Sequence, residues 1–378
     1  MNSKLSLIAN KVYADQRISR EEAVDLYASN DLAILSKLAT YVRTKKAKEN
    51  YKKAVWWNTN LHLNPTNVCI GFCNFCAFAK RPNEEGAYTM TIDEATQKAV
   101  RGYELGATEV HIVGGLNPKA ALPYYSELLG SIKSKVPGLH IKAFTAVEIA
   151  FFAKLTKKTP SEVLAVLREA GLDSMPGGGA EVFAKSVRDD TCPDKIPAEQ
   201  WLSTHYEAHK QGLKTNATML AGIGENFEDR IDHMLLLREQ QDRSLALDSG
   251  CFQTFIPLSC HYEDTDIADQ VEPITGIEQI KNIAISRIVL DNFDHIKAYW
   301  VQLGHKMAQL ALHFGADDID GTVVDEKITN AAGSGKKATQ AEILQNLIRG
   351  AGFIPMERDT LYNVLDRKND RDLVLSFN

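Results

Sequence analysis

Residues 159–176 read TPSEVLAVLREAGLDSMP. The Thr159 side chain can cap the free N–H groups of a helix start, while Glu162, three residues on, reaches back to the cap's own backbone. Pro160 stands at the first helical position, where its missing N–H costs nothing. Gly171 falls where such a helix should stop, and residues 172–176 read as a short strand. Working outward, the same punctuation recurs. Thr91 with Glu94, Thr275 with Glu278 and Thr339 with Glu342 repeat the start signal, and Gly106, Gly138, Gly212 and Gly315 repeat the stop. Strand-like runs fall at 60–66, 109–115, 140–146, 172–176, 214–222, 251–258, 298–303 and 319–324, each followed by a helix-like stretch. Eight alternations over about 290 residues predict an α/β fold, a (β/α)8 TIM-type barrel, because an open doubly wound sheet usually closes in about five or six. Residues 19–48 read as two helices whose charged faces suit packing on the outside of a barrel. The expected layout is an N-terminal helical extension over 1–54, the barrel over 55–338, and a final barrel helix with a C-terminal helical extension over 339–378.

The 378 residues are 44% hydrophobic, 8% aromatic and 24% charged, which excludes wholesale disorder, collagen and small disulfide scaffolds. Forty-three basic against 49 acidic residues leave a net charge of -6, so affinity for nucleic-acid phosphates is not expected. No apolar run approaches the roughly 18 to 20 residues that span a bilayer. The opening MNSKLSLIANKVYADQ breaks its apolar stretch with Asn and Lys before a signal-peptide core can form, so a cytoplasmic protein that engages no membrane is expected. The segment 333–337 reads as a flexible loop.

Of six cysteines, Cys192, Cys251 and Cys260 are scattered and read as small buried hydrophobes. The other three, Cys69, Cys73 and Cys76, spell C-x3-C-x2-C just after the first strand. Three thiolates on one short loop can converge on a metal. A structural zinc normally takes a fourth Cys or His, and an all-cysteine iron-sulfur centre also takes four ligands. A cubane with three protein ligands leaves one iron open for substrate; the plainer alternative is three packed or zinc-binding cysteines.

The motif, with an aromatic residue immediately before its last cysteine, resembles that of the radical S-adenosylmethionine enzymes. The resemblance implies a 4Fe-4S cluster on Cys69, Cys73 and Cys76, with S-adenosylmethionine chelating the open iron through its amino and carboxylate groups. Reductive cleavage of the sulfonium then yields methionine and a 5'-deoxyadenosyl radical, with a flavodoxin- or ferredoxin-type electron donor as partner. In HIVGGLNP, Gly114 and Gly115 would let backbone carbonyls approach the methionine amino group; the family's usual Glu after them is here Leu116, so only the backbone role carries over. In SMPGGGAE, Glu181 is implied as the ribose contact, Phe75 as a neighbour of the adenine, and Ile223 in ATMLAGIGE as its apolar contact.

NLHLNPTNVCIGFCNFCAFAK, HIKAFTAVEI, GLDSMPGGGAEVF, TNATML and DIDGTVVDEKI further resemble the futalosine-pathway enzymes of menaquinone biosynthesis, from about residue 55 onward. KAFTAVEI and DGTVVDEKI favour the aminofutalosine-forming branch over its cyclising sister, while Cys260 and Tyr262 stand where an aromatic and a proline are usual. This implies addition of the adenosyl radical to 3-[(1-carboxyvinyl)oxy]benzoate, aryl migration and decarboxylation to 6-amino-6-deoxyfutalosine, S-adenosylmethionine being consumed as co-substrate. The alternatives are the cyclising or a deazaflavin-forming relative and, outside enzymes, an iron-sulfur electron carrier.

Strand parity nominates polar groups for the small-molecule substrate. His62 and Asn64, with Thr66, share one face of the first strand and are the candidate catalytic pair. Asn216, Thr218, Gln253, Thr322 and Ser334 are candidate substrate contacts. Each equally suits a hydrogen bonder inside a packed barrel. His205 and His209, spaced i and i+4, lack the HExxH pattern and read as exposed helical histidines.

Overall fold

A computed structural model of the chain describes residues 3–325, 327–332 and 338–365. Ten strands follow in order: β1 Ala54–Asn58, β2 Asn60–Leu63, β3 Glu109–Ile112, β4 His140–Ala143, β5 Ser174–Met175, β6 Lys214–Ala221, β7 Phe252–Ser259, β8 His295–Ile296, β9 Asp318–Gly321 and β10 Ile354–Glu357. Strands β2 to β8 form one parallel sheet in sequence order, with helices in the connections, as the alternation predicts. The sheet curls until its two edges meet the same segment. Lys297, just past β8, bridges Asp318, and Leu61 in β2 bridges Val324. The main-chain N–H groups of Ala298 and His62 donate to the Asp318 and Val324 carbonyls at 2.7 and 2.8 Å.

The eighth barrel position is therefore filled by isolated bridges, and backbone geometry gives the reason. Val323, just past β9, has a left-handed φ of 51°, which ends regular strand there, and Asp320 inside β9, at φ 70°, accompanies the irregularity in its pairing with β1. Strand β9 instead pairs with β1, and β10 pairs with the other edge of β1, making a three-stranded sheet at the foot of the barrel. At Gly321 a Cβ would lie 2.4 Å from Asn60 Oδ1 and 2.5 Å from the Asn58 carbonyl, so that crossing requires glycine. The C-terminal segment is thus a helix, Ala341–Gly350, followed by a strand, where helix alone was expected.

Other boundaries move for local reasons. The seventh run, 298–303, becomes the short helix Trp300–Leu303, and the true strand lies just before it. The first run ends at Leu63 and does not reach residue 66. Thr91, Thr159 and Thr275 form full capping boxes. Thr339 does not, because Gln340 caps the last helix and the Thr339 N–H donates to the Thr322 carbonyl at 3.1 Å. Three N-terminal helices appear where two were expected: α1 Ser3–Tyr13, α2 Arg20–Ala28 and α3 Leu32–Lys46. Their apolar faces pack on the helices Phe227–Leu245 and Gly276–Val289 and join the main core. Exposed pairs such as Arg20–Asp232 fringe that contact and add little.

His205 and His209 are fully buried, contrary to the exposed reading. Both bond Thr215 Oγ1, at 3.0 and 2.8 Å, and His209 also bonds Ser244 Oγ at 2.7 Å. Burial pushes His205 well below its ordinary pKa, and His209 and His233 down to about 3. Between pH 6.5 and 3 the unfolded chain binds protons that the folded chain refuses, so stability present at neutral pH is lost on acidification. Urea midpoints at pH 7, 6 and 5 should fall steadily. His209→Gln should flatten that slope by an amount that grows toward about 1.4 kcal/mol per pH unit as pH 5 is approached, and an unchanged slope would show His209 to be charged in the fold.

Candidate active site

One cavity occupies the barrel interior and opens among the C-terminal strand ends, the face where barrels of this type place their chemistry. Its rim carries Cys69, Cys73 and Cys76. The loop that bears them is tied on three sides. The Cys69 and Ile70 N–H groups donate to the Lys80 and Leu116 carbonyls at 2.9 and 3.1 Å, and Phe72 N–H donates to Asp194 Oδ2 at 2.9 Å. Asn74 N–H reaches the Thr191 carbonyl at 3.0 Å.

Burial raises the Cys73 thiol to about 12, opposed by Lys195, and raises Cys76 in the same way. Such thiols stay protonated unless a strong positive charge arrives, which is what a bound metal supplies. Three soft sulfur donors on one wall of a shielded cavity suit an iron-sulfur cluster. Among the described residues no three His, Cys, Asp or Glu side chains already form a metal-ligating group, so the thiols would turn toward one another as a cluster enters.

Gly115 is required by close packing, and the packing partner differs from the one expected. A Cβ there would lie 2.2 Å from the Val68 carbonyl oxygen and 3.0 Å from Cys69 Cβ. The missing side chain makes room for the cysteine loop itself. Gly115→Ala should therefore lower iron incorporation as well as S-adenosylmethionine binding; full iron content in that variant would refute the packing account.

Glu181 lines the cavity with an uncommon left-handed φ of 48°, held by the Leu220 N–H on its carbonyl at 2.9 Å. Its carboxylate pairs with Lys195, whose Nζ stands 5.0 Å from the centre of the Phe75 ring. Lys195 was missed in the sequence because it lies in an irregular stretch with no strand to assign its direction.

Deeper in, register aligns His62, His111 and Lys142 on three adjacent strands, and all three line the cavity. The two imidazoles meet edge-on with centroids 4.8 Å apart. Burial keeps His111 well below its ordinary pKa, hence neutral, and its Nε2 is buried with no hydrogen bond. Lys142 pairs with Glu109 at 2.5 Å, and across the cavity Lys297 pairs with Asp320 at 2.7 Å. His111 and Lys142 continue the inward row that His62 begins, a row that only the register of β2, β3 and β4 reveals, and Lys297 lies past the end of β8.

Of the expected contacts, His62, Phe75, Gly114, Gly115, Glu181, Asn216 and Thr218 share this cavity with the cysteines. Others do not reach it. With β2 ending at Leu63, Asn64 turns to donate to the Val113 carbonyl at 2.9 Å, and Thr66 donates to the Tyr88 carbonyl at 2.8 Å. Thr322 bonds the Asn60 main chain, and Ile223 is packed in the core. Gln253 reaches the cavity only through Asn216, whose Oδ1 accepts its amide at 3.1 Å. Ser334 lies outside the described residues. Cys260 lines the cavity wall, and both it and Cys251 are only partly buried, so of the three scattered cysteines only Cys192 is the buried hydrophobe expected.

Residues 63–237 match the radical SAM superfamily, and residues 249–371 match the CofH/MqnC C-terminal region. With the barrel and the three-cysteine rim, these place the chain in the radical SAM superfamily. It is similar to two aminodeoxyfutalosine synthases. That of Thermus thermophilus is 41% identical over 364 residues, 95% of each chain. That of Streptomyces coelicolor is 43% identical over 372 residues, 95% of this chain and 93% of the relative. A cyclic dehypoxanthine futalosine synthase of Halalkalibacterium halodurans is 34% identical over 97% of this chain and 96% of its own. In fold, the chain matches the crystal structure of methylornithine synthase with a TM-score of 0.71 at 16% identity, over 97% of this chain and 99% of that one. Among the described residues no helix is long and apolar enough to cross a membrane.

Proposed function

We propose that the chain is an aminodeoxyfutalosine synthase that joins the adenosyl group of S-adenosylmethionine to 3-[(1-carboxyvinyl)oxy]benzoate. The observation that carries this reading is a single cavity running from the three-cysteine rim to a floor of two lysines, each paired with a carboxylate, in a chain 41% and 43% identical to two synthases of that name. A 4Fe-4S cluster held by Cys69, Cys73 and Cys76 would supply the electron that cleaves the sulfonium, itself replenished by a flavodoxin- or ferredoxin-type donor.

The chain's own residues then hold and orient. Lys142 and Lys297 each spend one donor on an acidic partner and keep others for the two substrate carboxylates. His111 Nε2 offers a further polar contact, and His62 packs against its ring. Asn216 and Thr218 line the opposite wall, with the Thr218 hydroxyl fixed on the Gly177 carbonyl at 2.6 Å. Glu181, Phe75 and Lys195 shape the rim for the adenosyl portion. Walls of Ile256, Leu258 and Leu220 present few hydrogen-bonding groups to water, which suits chemistry in which a radical must meet only its intended partner. The test is an anaerobic incubation with dithionite, S-adenosylmethionine and the enolpyruvyl benzoate, with products read by mass spectrometry. Formation of 6-amino-6-deoxyfutalosine supports the reading, and an unconsumed benzoate overturns it.

A further inference from the structure

Four helices of this chain start with a threonine and a glutamate three residues on, and one of the four is turned inward. Glu94 and Glu162 sit at the surface and Glu278 partly so, each held below the ordinary carboxyl range by its capping bonds. Glu148, which starts the helix Ala146–Thr156, is 3% exposed and lines the active-site cavity. Its Oε2 accepts the Thr145 N–H and hydroxyl at 2.8 and 2.9 Å, and its Oε1 accepts the Gly114 N–H at 3.0 Å. No cation acts on it; burial opposed only by those hydrogen bonds lifts its pKa to about 7.

Helix capping alone does not call for this placement, since the three outward boxes cap equally well without burying a carboxylate. The position is also specific. Gly114 joins Glu148 to Gly115, which abuts Cys69, so the carboxylate stands one peptide from the cysteine loop. The residue after the glycines is Leu116, which is apolar and faces Gly71. A carboxylate with a spare lone pair on Oε1 selects a strong N–H donor, and an amine whose lone pair is given to a metal has its N–H bonds polarised into one. Of the groups S-adenosylmethionine presents, the sulfonium has no N–H and the ribose and adenine touch no metal, which leaves the α-amino group. The substrate's two carboxylates would be repelled from this end, toward Lys142 and Lys297.

We propose that Glu148 is the acid that receives the α-amino group of S-adenosylmethionine. This rests on the chain being a radical SAM enzyme, and the test separates the two. Reconstituted protein is titrated anaerobically by calorimetry with S-adenosylmethionine and with its desamino analogue, S-adenosyl-4-methylthiobutyrate. Glu148→Gln should weaken S-adenosylmethionine about ten- to a hundredfold, the span expected for one charge-assisted hydrogen bond, and leave the analogue's affinity unchanged. Equal weakening of both ligands would make Glu148 only a prop for the Gly114 turn and overturn the proposal, as would no weakening of either. If Glu148→Gln takes up no iron, Glu148→Asp replaces it, and its loss must again fall on S-adenosylmethionine alone. Wild-type protein that binds S-adenosylmethionine no better than the analogue also overturns it, whereas binding neither ligand would count against the enzyme reading itself.

Discussion

Replacement of Cys69, Cys73 or Cys76 by alanine is expected to reduce iron from about four per chain to below one and to abolish S-adenosylmethionine cleavage. Each variant removes one of the three thiolate ligands that a cubane of this type requires, so no stable partial site persists. Cys251→Ala is the control. Cys251 lies just before β7, away from the cavity, and its loss should leave iron and turnover near wild type. Retained cleavage in Cys73→Ala would remove the cluster assignment, and with it the reading of the rim.

The second large effect is the fate of the adenosyl carbon. With S-adenosylmethionine carrying carbon-13 in that group, turnover on the enolpyruvyl benzoate should place the label in 6-amino-6-deoxyfutalosine, with methionine and carbon dioxide or bicarbonate released. Labelled 5'-deoxyadenosine should be a minor product. A hydrogen-abstracting relative would release one labelled 5'-deoxyadenosine per turnover of its own substrate, so the two outcomes differ by most of the label. Lys142→Met should shift the balance toward 5'-deoxyadenosine, because a substrate misplaced by about 1 Å can lose on the order of a hundredfold in productive rate. Stoichiometric 5'-deoxyadenosine with the benzoate intact would move the chain to the cyclising branch.

What the sequence disclosed follows from how local each signal is. Capping threonines and stop glycines act within one helical turn, so the helix before β5 and β5 itself were readable from residues 159–176 alone. The cysteine triad was readable because its ligands share one loop. Parity failed at Asn64 and Thr66, since the end of β2 is set by its pairing with β3 and not by residues 60–66 themselves. Lys142 and Lys297 look like ordinary charged residues until register places them inside a barrel. Glu148 carries the same capping signal as three surface glutamates, and only tertiary packing shows which one is buried.

The pairing of β1 with β10 bears on how the chain is made. Strand β1 leaves the ribosome 300 residues ahead of the partner it pairs with, Ala54 lying opposite Ile354. Arg358, which pairs with the fully buried Asp318 at 2.6 Å, arrives with it. Until that strand arrives the nascent barrel presents Trp56 and Trp57 on an unsealed edge, and over the last 40 residues before Arg358 it also holds Asp318 without its counter-charge. Closure of the foot therefore waits on a 300-residue loop closure, of the kind that slows folding and leaves the open edge exposed to aggregation or to a chaperone in the interval.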